Sequence, residues 1–555
     1  MKELLEGNLE EIIHTGFLRQ GNQSIQFIND DGQIVIENCS INYYCRLDQF
    51  EINNSIRFEN CKLNSITLSG ISMNSNQLHV KKCTIQDISI DSTTGVDSIS
   101  ISETTIKTLH FFESEIKAIG LFHNSIKKLS IHGCYVREVF STLRNTIEEI
   151  FFADSVIECD FTCNQDIVLN SLIVASGKFN GNVAIRSKLE CEMTILGGAF
   201  TKELQIQYGV DYSQGIKILT GFFESIVVDS SKYRIINMSC NSDDSGIFVN
   251  KIELRNIGDQ NVILDNCQVF NLGIGGPIYS NGKISFKDVN IKKLWLVNLI
   301  NKGSLTFGNI HSSLKLEDEY GTEKPVPTIH FINSDLGSCG FFNFNFREYD
   351  KIFCVDSRFS QVVLTTVNFP ISSQSHIFTS ASEEIDPYAL ENIYSQLYQA
   401  AQDQANRSQE VIYYKEYLEW HRKNKVSLLK DLGFFKVMKS DWQTPASLWL
   451  HKFSSSYGTN WARAALLTFL SAMIIYGLFL ISHHNIYFDP NPENWYLNHS
   501  VFGSFWEFIL PTHSFIEFDT LKPSWLSYFW DFVGRIVTGF LIYQMITAFR
   551  RFAKK

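Results

Sequence analysis

The sequence predicts a mainly β protein: a β-solenoid of about 20–25-residue coils, followed by a helical hairpin and two transmembrane α-helices. Three observations carry this. Apolar residues recur every five positions through "IKTLHFFESEIKAIGLFHNSIKKLSIHGCYVREV", Ile106 to Val139. The same register returns at about twice ten across residues 30–372. Two long apolar stretches, 464–483 and 524–549, stand near the end.

In the quoted stretch Ile106, Phe111, Ile116, Leu121, Ile126, Ile131 and Val136 each have a partner two positions earlier. The partners alternate, small or polar at Thr104, Ser114, Asn124 and Cys134, large and aliphatic at Leu109, Ile119 and Leu129. Residues two apart on an extended strand share a face, so each block of five sends two side chains inward and then turns. Neither a helical period nor a free-standing strand alternation fits. Units this short cannot bury their own apolar face and must stack on one another. With Ile126 as marker, equivalents fall at Ile41, Leu63, Ile85, Ile106, Ile147, Phe179, Phe200, Phe223, Ile247, Val269, Ile291, His311, Leu336 and Phe359. The step of 32 from Ile147 to Phe179 predicts an inserted loop. Residues 1–29 are left as an N-terminal cap.

"IRFENCKLNSITLSG" and "IKTLHFFESEIKAIGLFHNS" resemble degenerate pentapeptide repeats. The resemblance covers about 340 residues and implies a right-handed, four-sided β-helix. Coils here average nearer 22 residues than 20, and the small inward residue is often Cys, Asn or Ser rather than Ala. A wider right-handed β-helix is the alternative.

A chain of 555 residues divides into two or more domains. Its net charge of −11 offers no basic stripe for phosphates, so no nucleic acid is expected as a partner. The cysteines fall on the repeat. Cys39, Cys61, Cys83 and Cys267 sit two before a marker and Cys134 two before Val136, which makes them small core residues rather than a disulfide framework. Without a C-x-x-C pair, metal is not expected. "MKELLEGNLEEIIHTGFL" carries acidic residues where a signal peptide needs an apolar run, which predicts a cytoplasmic solenoid.

Helix signals replace the repeat after residue 372 and define a connector over 373–430. Asp386 stands as an N-cap before Pro387, with Leu390, Ile393, Tyr394, Leu397, Tyr398 and Ala401 on helical spacing. Asn406 and Gln409 approximate a capping box for a second helix, giving a hairpin over 387–424. Its plain role is to cover the open end of the solenoid. The stretch also resembles the helical connector of some bacterial pentapeptide-repeat membrane proteins.

A juxtamembrane segment, 431–463, leads to "AALLTFLSAMIIYGLFLI", which is long enough to cross about 27 Å without a charge. The second span, "IVTGFLIYQMITAF", is shorter and needs the upstream "SWLSYFWDFVGR" to cross. That draws Asp531 and Arg535, four apart and able to pair, toward the outer boundary. Lys425, Lys430, Lys436, Lys439, Lys452 and Arg463 precede the first span, and Arg550, Arg551, Lys554 and Lys555 form the tail at 550–555. The loop 484–523 holds only Lys522 among basic residues, so both termini are expected in the cytoplasm.

Inside that loop, the segment 501–510 of "VFGSFWEFILPTHS" is too short to span. Two readings stay open: an interfacial or packing helix, and a pore-lining element. The two-span plan resembles two-helix ion-channel subunits, and "GRIVTGFLIYQMITAFRRF" resembles their closing helix, but no T-x-G-Y-G filter is present. Glu507, His513, Asp531 and Arg535 are the candidate pore or intramembrane polar residues. Their structural alternatives are an interfacial carboxylate and a headgroup-level ion pair.

The resemblance implies a multi-pass protein of the bacterial inner membrane, with the lipid bilayer as one partner. The expected function is a scaffold that presents the solenoid to an unidentified cytoplasmic protein partner. The alternative is a homo-oligomeric ion channel or pore gated by the solenoid, as a stress or defence effector. A carbohydrate-active β-helix enzyme is the third reading. It would use Asp243 and Asp244 of "NSDDSG", but neighbours on a strand face opposite ways and the composition signals a loop. His110, His123 and His132 are expected on the surface, and no cofactor motif is present. The protein is not expected to be an enzyme.

Overall fold

The computed structural model describes residues 2–3, 17–20, 23–26, 33–48, 54–207, 215–229, 235–239, 247–312, 326–367, 369–371, 376–430, 442–482, 503–516 and 523–553. It comprises two compact units, Met1–Glu384 and Ile385–Lys555.

The first unit is a parallel β-solenoid. One wall runs unbroken in register from Ile34 through Ile56, Leu78, Ile99, Ile119 and Phe140 to Leu294, Ile329, Ile352 and Ile377. A second wall carries Ile41, Leu63, Ile85, Ile106, Ile126, Ile147, Val168 and Leu189. A third carries Val96, Ile116, Val136, Ile157, Phe179, Phe200, Phe223, Val249 and Val269.

These registers correct the sequence reading. Ile147 pairs with Val168, and Phe179 pairs with Ile157. The step of 32 therefore contains no inserted loop: the marker passes from one wall to another, because each coil repeats the same apolar pattern twice. Ile247 lies two places off the third wall, where Val249 stands. The long step lies between Leu294 and Ile329, which pair across 35 positions, and it encloses residues 313–325 outside the described set. The last rung, His376–Phe378 against Lys351–Phe353, lies beyond residue 372. At the other end Lys2–Glu3 adds a parallel strand to Cys39–Ser40, and Phe17–Gln20 pairs with Gln23–Gln26 as a hairpin.

The corners explain why this sequence closes into coils. Asn38, Asn60, Lys82, Glu103, His123, Arg144 and Gln165 have φ between 52° and 57°, a left-handed conformation that costs a side-chain-bearing residue energy. Backbone hydrogen bonds to the next coil offset that cost, as from Asn60 N–H to Lys81 O and from Glu103 N–H to Phe122 O, both 3.0 Å. The residue after each corner points inward and closes a second ladder. Asn124 Oδ1 accepts the Thr104 N–H at 2.9 Å, Asn145 Oδ1 accepts the Asn124 N–H at 2.8 Å, and Asp166 Oδ1 accepts the Asn145 N–H at 2.6 Å. Ser187 Oγ accepts the Asp166 N–H at 3.1 Å. A second corner column repeats the device, with the Thr93 N–H donating to Ser114 Oγ at 3.0 Å and the Cys134 N–H to Ser155 Oγ at 3.2 Å.

The cysteines belong to these columns. Cys39, Cys61, Cys83, Cys134 and Cys267 are all buried and free, as are Cys159, Cys163, Cys191, Cys339 and Cys354. Cys61 and Cys83 do more than fill space: Cys83 Sγ accepts the Cys61 N–H at 3.4 Å, and Cys61 Sγ donates to Ile36 O at 3.3 Å. Between corners the wall residues form the core, with Phe179, Phe200 and Phe223 stacked at 4.7 and 4.8 Å.

The second unit is helical. Helix α1 (Pro387–Asp403) starts at Asp386, whose carboxylate accepts the Tyr388 N–H at 3.0 Å, and Pro387 takes the first helical position. Helix α2 (Arg407–Lys430) folds back on α1 after Asn406, whose side chain accepts the Gln409 N–H. Then come α3 (Gln443–Ser455), α4 (Trp461–Ser482), the short helix α5 over 503–509, and α6 (Trp525–Ala553). By length and composition α4 and α6 are able to cross a membrane.

Two outcomes check the corner ladders. Asn124→Leu takes the acceptor from the Thr104 N–H in a buried corner and removes the side-chain bond to the Ile101 carbonyl. It should cost about 2–4 kcal/mol in urea unfolding, whereas Lys127→Ala, on an exposed site, should stay within about 0.5 kcal/mol. Thiol labelling is the second check. Burial raises the Cys134 thiol to about 11 and shuts it inside the coils, so at neutral pH a maleimide should leave Cys134 unmodified until the coils are unfolded.

Candidate functional site

The candidate polar residues lie around α4, α5 and α6. Phe508 of α5 inserts between the two long helices, with its ring 5.2 Å from Tyr476 and 5.5 Å from Phe479. Ile475, Ile516, Phe505, Trp530, Val533 and Val537 complete this cluster. Gly534 makes it possible: a Cβ there would lie 2.5 Å from Phe508 Cζ. The segment after α5 turns at Pro511 and Thr512 and brings His513 against α6.

Three of the four candidates meet there. Asp531 is buried, and its two oxygens are divided between His513 Nε2 at 2.8 Å and an Arg535 terminal nitrogen at 2.9 Å. The Asp531–Arg535 pair has the i, i+4 geometry their spacing predicts. His513 is the part that spacing does not reveal, since it arrives from 18 positions away through the turn. Its Nδ1 faces Leu510 O, so each ring nitrogen has an oxygen partner. Arg535 Nε is buried without a partner among the described residues. Glu507 is not part of this group. It lies exposed on α5, beside exposed Trp506 and away from Asp531.

A second polar cluster gathers at the far end of α6. Glu419 of α2 accepts from Tyr457 Oη at 2.6 Å, from Arg422 at 2.8 Å and from Lys452 Nζ of α3 at 2.9 Å. Arg551 of α6 lies 4.1 Å over the Tyr414 ring and donates to Tyr457 O at 3.2 Å. Deeper along the helix, buried Gln544 meets Ser455 Oγ and His451 Nε2, each at 3.2 Å. Burial opposes ionisation of Glu419, yet the hydrogen bonds from Arg422, Tyr457 and Lys452 prevail and hold its carboxyl down at about 2. Spacing along the sequence shows only Arg422, three positions from Glu419 on α2; Lys452 and Tyr457 come from α3 and the turn after it, and Arg551 stands in the sequence only as part of a basic tail.

Asp531 and Arg551 are 20 positions apart on one helix, about 30 Å, close to the hydrocarbon thickness of a bilayer. Arg535 and Gln544 lie within that length, and the uncharged stretch between Arg535 and Arg550 is 14 residues, about 21 Å.

The solenoid's other candidates are dispersed. His110 and His132 are partly exposed and His123 is exposed, with His132 stacked on Phe112 at 5.0 Å. His311, a marker in the sequence reading, is exposed and faces Glu348 at 3.4 Å. Asp243 and Asp244 lie outside the described residues. No group of three or more potential metal ligands occurs among the described residues.

Compared with known proteins, the chain matches no family model, no curated protein and no solved structure. The resemblance to pentapeptide repeats thus rests on coil length and the inward columns alone.

The Glu419 geometry makes a pH test direct. Its folded-state carboxyl lies below the ordinary value near 4.3, so its stabilising contribution is complete above that value and is lost as pH falls toward about 2. Helix unfolding of the detergent-solubilised protein should become easier over that interval, and Glu419→Gln should flatten the dependence.

Proposed function

We propose that this protein is a membrane-anchored scaffold whose solenoid is held at the cytoplasmic face of a bilayer by α4 and α6, with a cytoplasmic protein as its partner. The observation that carries the proposal is the fate of the ionisable groups on α6. A pore needs such groups facing a water-filled path; here the Asp531 carboxylate is enclosed and shared between His513 and Arg535. That is the economy of an anchor, which must hide its charges. The far cluster, in which Glu419 and Tyr414 of α2 hold Tyr457, Lys452 and Arg551, ties α2 to α3 and α6 within the helical unit.

The orientation rests on the basic residues that flank both apolar helices and their scarcity in 484–523. A bacterial inner-membrane location and membership among pentapeptide-repeat proteins are part of the same proposal, motivated by the coil length. The scaffold is proposed to be non-enzymatic.

One observation favours the alternative of an oligomeric channel. Glu507 and Trp506 form an exposed face of α5 in a single copy, with exposed Leu510 directly after it. A carboxylate at that depth is costly against lipid and would be relieved if copies faced one another around water.

Stoichiometry and flux separate the two. One pair of spans cannot enclose a pore, so a channel requires a closed ring. The scaffold reading expects a monomer or dimer in detergent and no ion flux in liposomes, with or without Glu507→Gln. A ring of four or more copies whose flux falls on Glu507→Gln would replace the scaffold by the channel.

A further inference from the structure

The outward face of the solenoid carries a column of flat rings with one rung missing. Trp295, His330 and Phe353 occupy equivalent positions on successive strands. Trp295 and His330 stack at 3.6 Å with planes 2° apart, and His330 and Phe353 at 4.4 Å with planes 4° apart. On the other side of Trp295 the equivalent position is Gly273, and one strand further it is Glu253. The result is a groove of about 660 Å³ lined by Trp295 at one end, Glu253 at the other, and Gly273 and Gly275 on its floor.

The backbone does not require a glycine at position 273. Gly275 and Gly276 have steric reasons: a Cβ on Gly275 would lie 2.8 Å from Val297 O, and Gly276 has φ +81° beside Asn256. Gly273 has neither. A Cβ there would meet nothing closer than 3.7 Å, and its φ is not in the left-handed region. A glycine inside a strand costs stability, so the open space over Trp295 is what this one provides.

The groove's charges differ from those of the chain as a whole. Glu253 is held by Lys251 at 2.5 Å and by Arg255, both of which keep about half of their side chains exposed. Lys293 follows Asn271 on the adjoining column but does not line the groove, its Nζ lying 5.6 Å over the Phe270 ring. Two cations thus stand against one carboxylate in the groove, in a protein of net charge −11. Asn256, Asn271 and Asn298 line the rim and offer amide donors and acceptors. Burial, then Lys293, lowers His330 to about 4, so the ring beneath Trp295 is neutral near pH 7 and the stack repels no cationic or neutral ring.

The geometry points to a nucleotide site: a flat heteroaromatic base stacks on the free face of Trp295 over Gly273, and its phosphate is met by Lys251 and Arg255. Stacking supplies a sequence-tolerant contact, the amides meet the edge of the base, and the cations meet the phosphate. The chemistry is that of a base carrying a phosphate, whether a free mononucleotide or the end of a short strand. This site is independent of the membrane assignment.

The test uses the full chain in detergent. Tryptophan fluorescence and calorimetry are followed on titration with AMP, GMP, CMP and UMP, with the matching nucleosides, and with a short single-stranded RNA. Gly273→Val fills the missing rung while its Cβ meets only ordinary contacts. The expected result is mononucleotide binding that Gly273→Val weakens at least about tenfold, the scale of one lost base–aromatic stack, with melting unchanged or raised. Lys251→Ala should weaken nucleotides and spare nucleosides. Tighter binding of the RNA with the same dependence on Gly273 would keep the site and assign its source to a strand end. Silence up to about 1 mM, or equal binding by Gly273→Val, overturns the proposal.

Discussion

The structure depends on one constraint: at every corner of every coil, buried backbone amides must find acceptors. A corner in the left-handed conformation turns the chain sharply and leaves the next N–H pointing into the interior. Unpaired, each such group would cost more than the corner's packing returns. The chain resolves this by placing a small acceptor one coil away, as Asn124, Asn145, Asp166 and Ser187 do in succession. Because each acceptor serves the coil before it, no coil is satisfied alone, and the solenoid is a cooperative stack rather than a string of hairpins.

Regular corners have a consequence on the outside. They keep successive strands in register, so outward residues of equal rank form straight columns. That is why Trp295, His330 and Phe353 stack nearly coplanar, and why a single glycine beside them makes a defined groove instead of a shallow dip. The hydrogen bonds that hold the core thus also set the precision of the surface.

The helical unit applies the same accounting to charges. Asp531 on an apolar helix is tolerable because Arg535 lies one turn away and His513 is delivered by the turn after α5. At the far end Glu419 gathers Arg422, Lys452 and Tyr457. Between the two clusters the exposed residues of α4 and α6 are mostly large and apolar, including Leu466, Ile474, Phe532 and Ile536. Exposed apolar surface of that extent asks for lipid or for other copies, which is the physical ground of the anchor reading.

The periodicity of two apolar residues in five was legible without coordinates, because strand alternation and coil stacking both act on local spacing. So were the N-cap at Asp386, the Asp531–Arg535 pair and the inward place of the cysteines. Which wall a marker belongs to was not legible: Ile147 and Phe179 carry the same local pattern, and only hydrogen-bond register tells that they face different sides. Nor could spacing reveal His513 against Asp531, Glu419 against Tyr457, or Gly273 above Trp295. By itself the sequence determined the repeating unit, the order of β and helical parts, and the two apolar helices, all of which follow from residues near one another along the chain. Tertiary structure decided the registry of the walls, the partners of the buried charges and the groove, because those depend on contacts between segments whose separation along the chain carries no periodic signal.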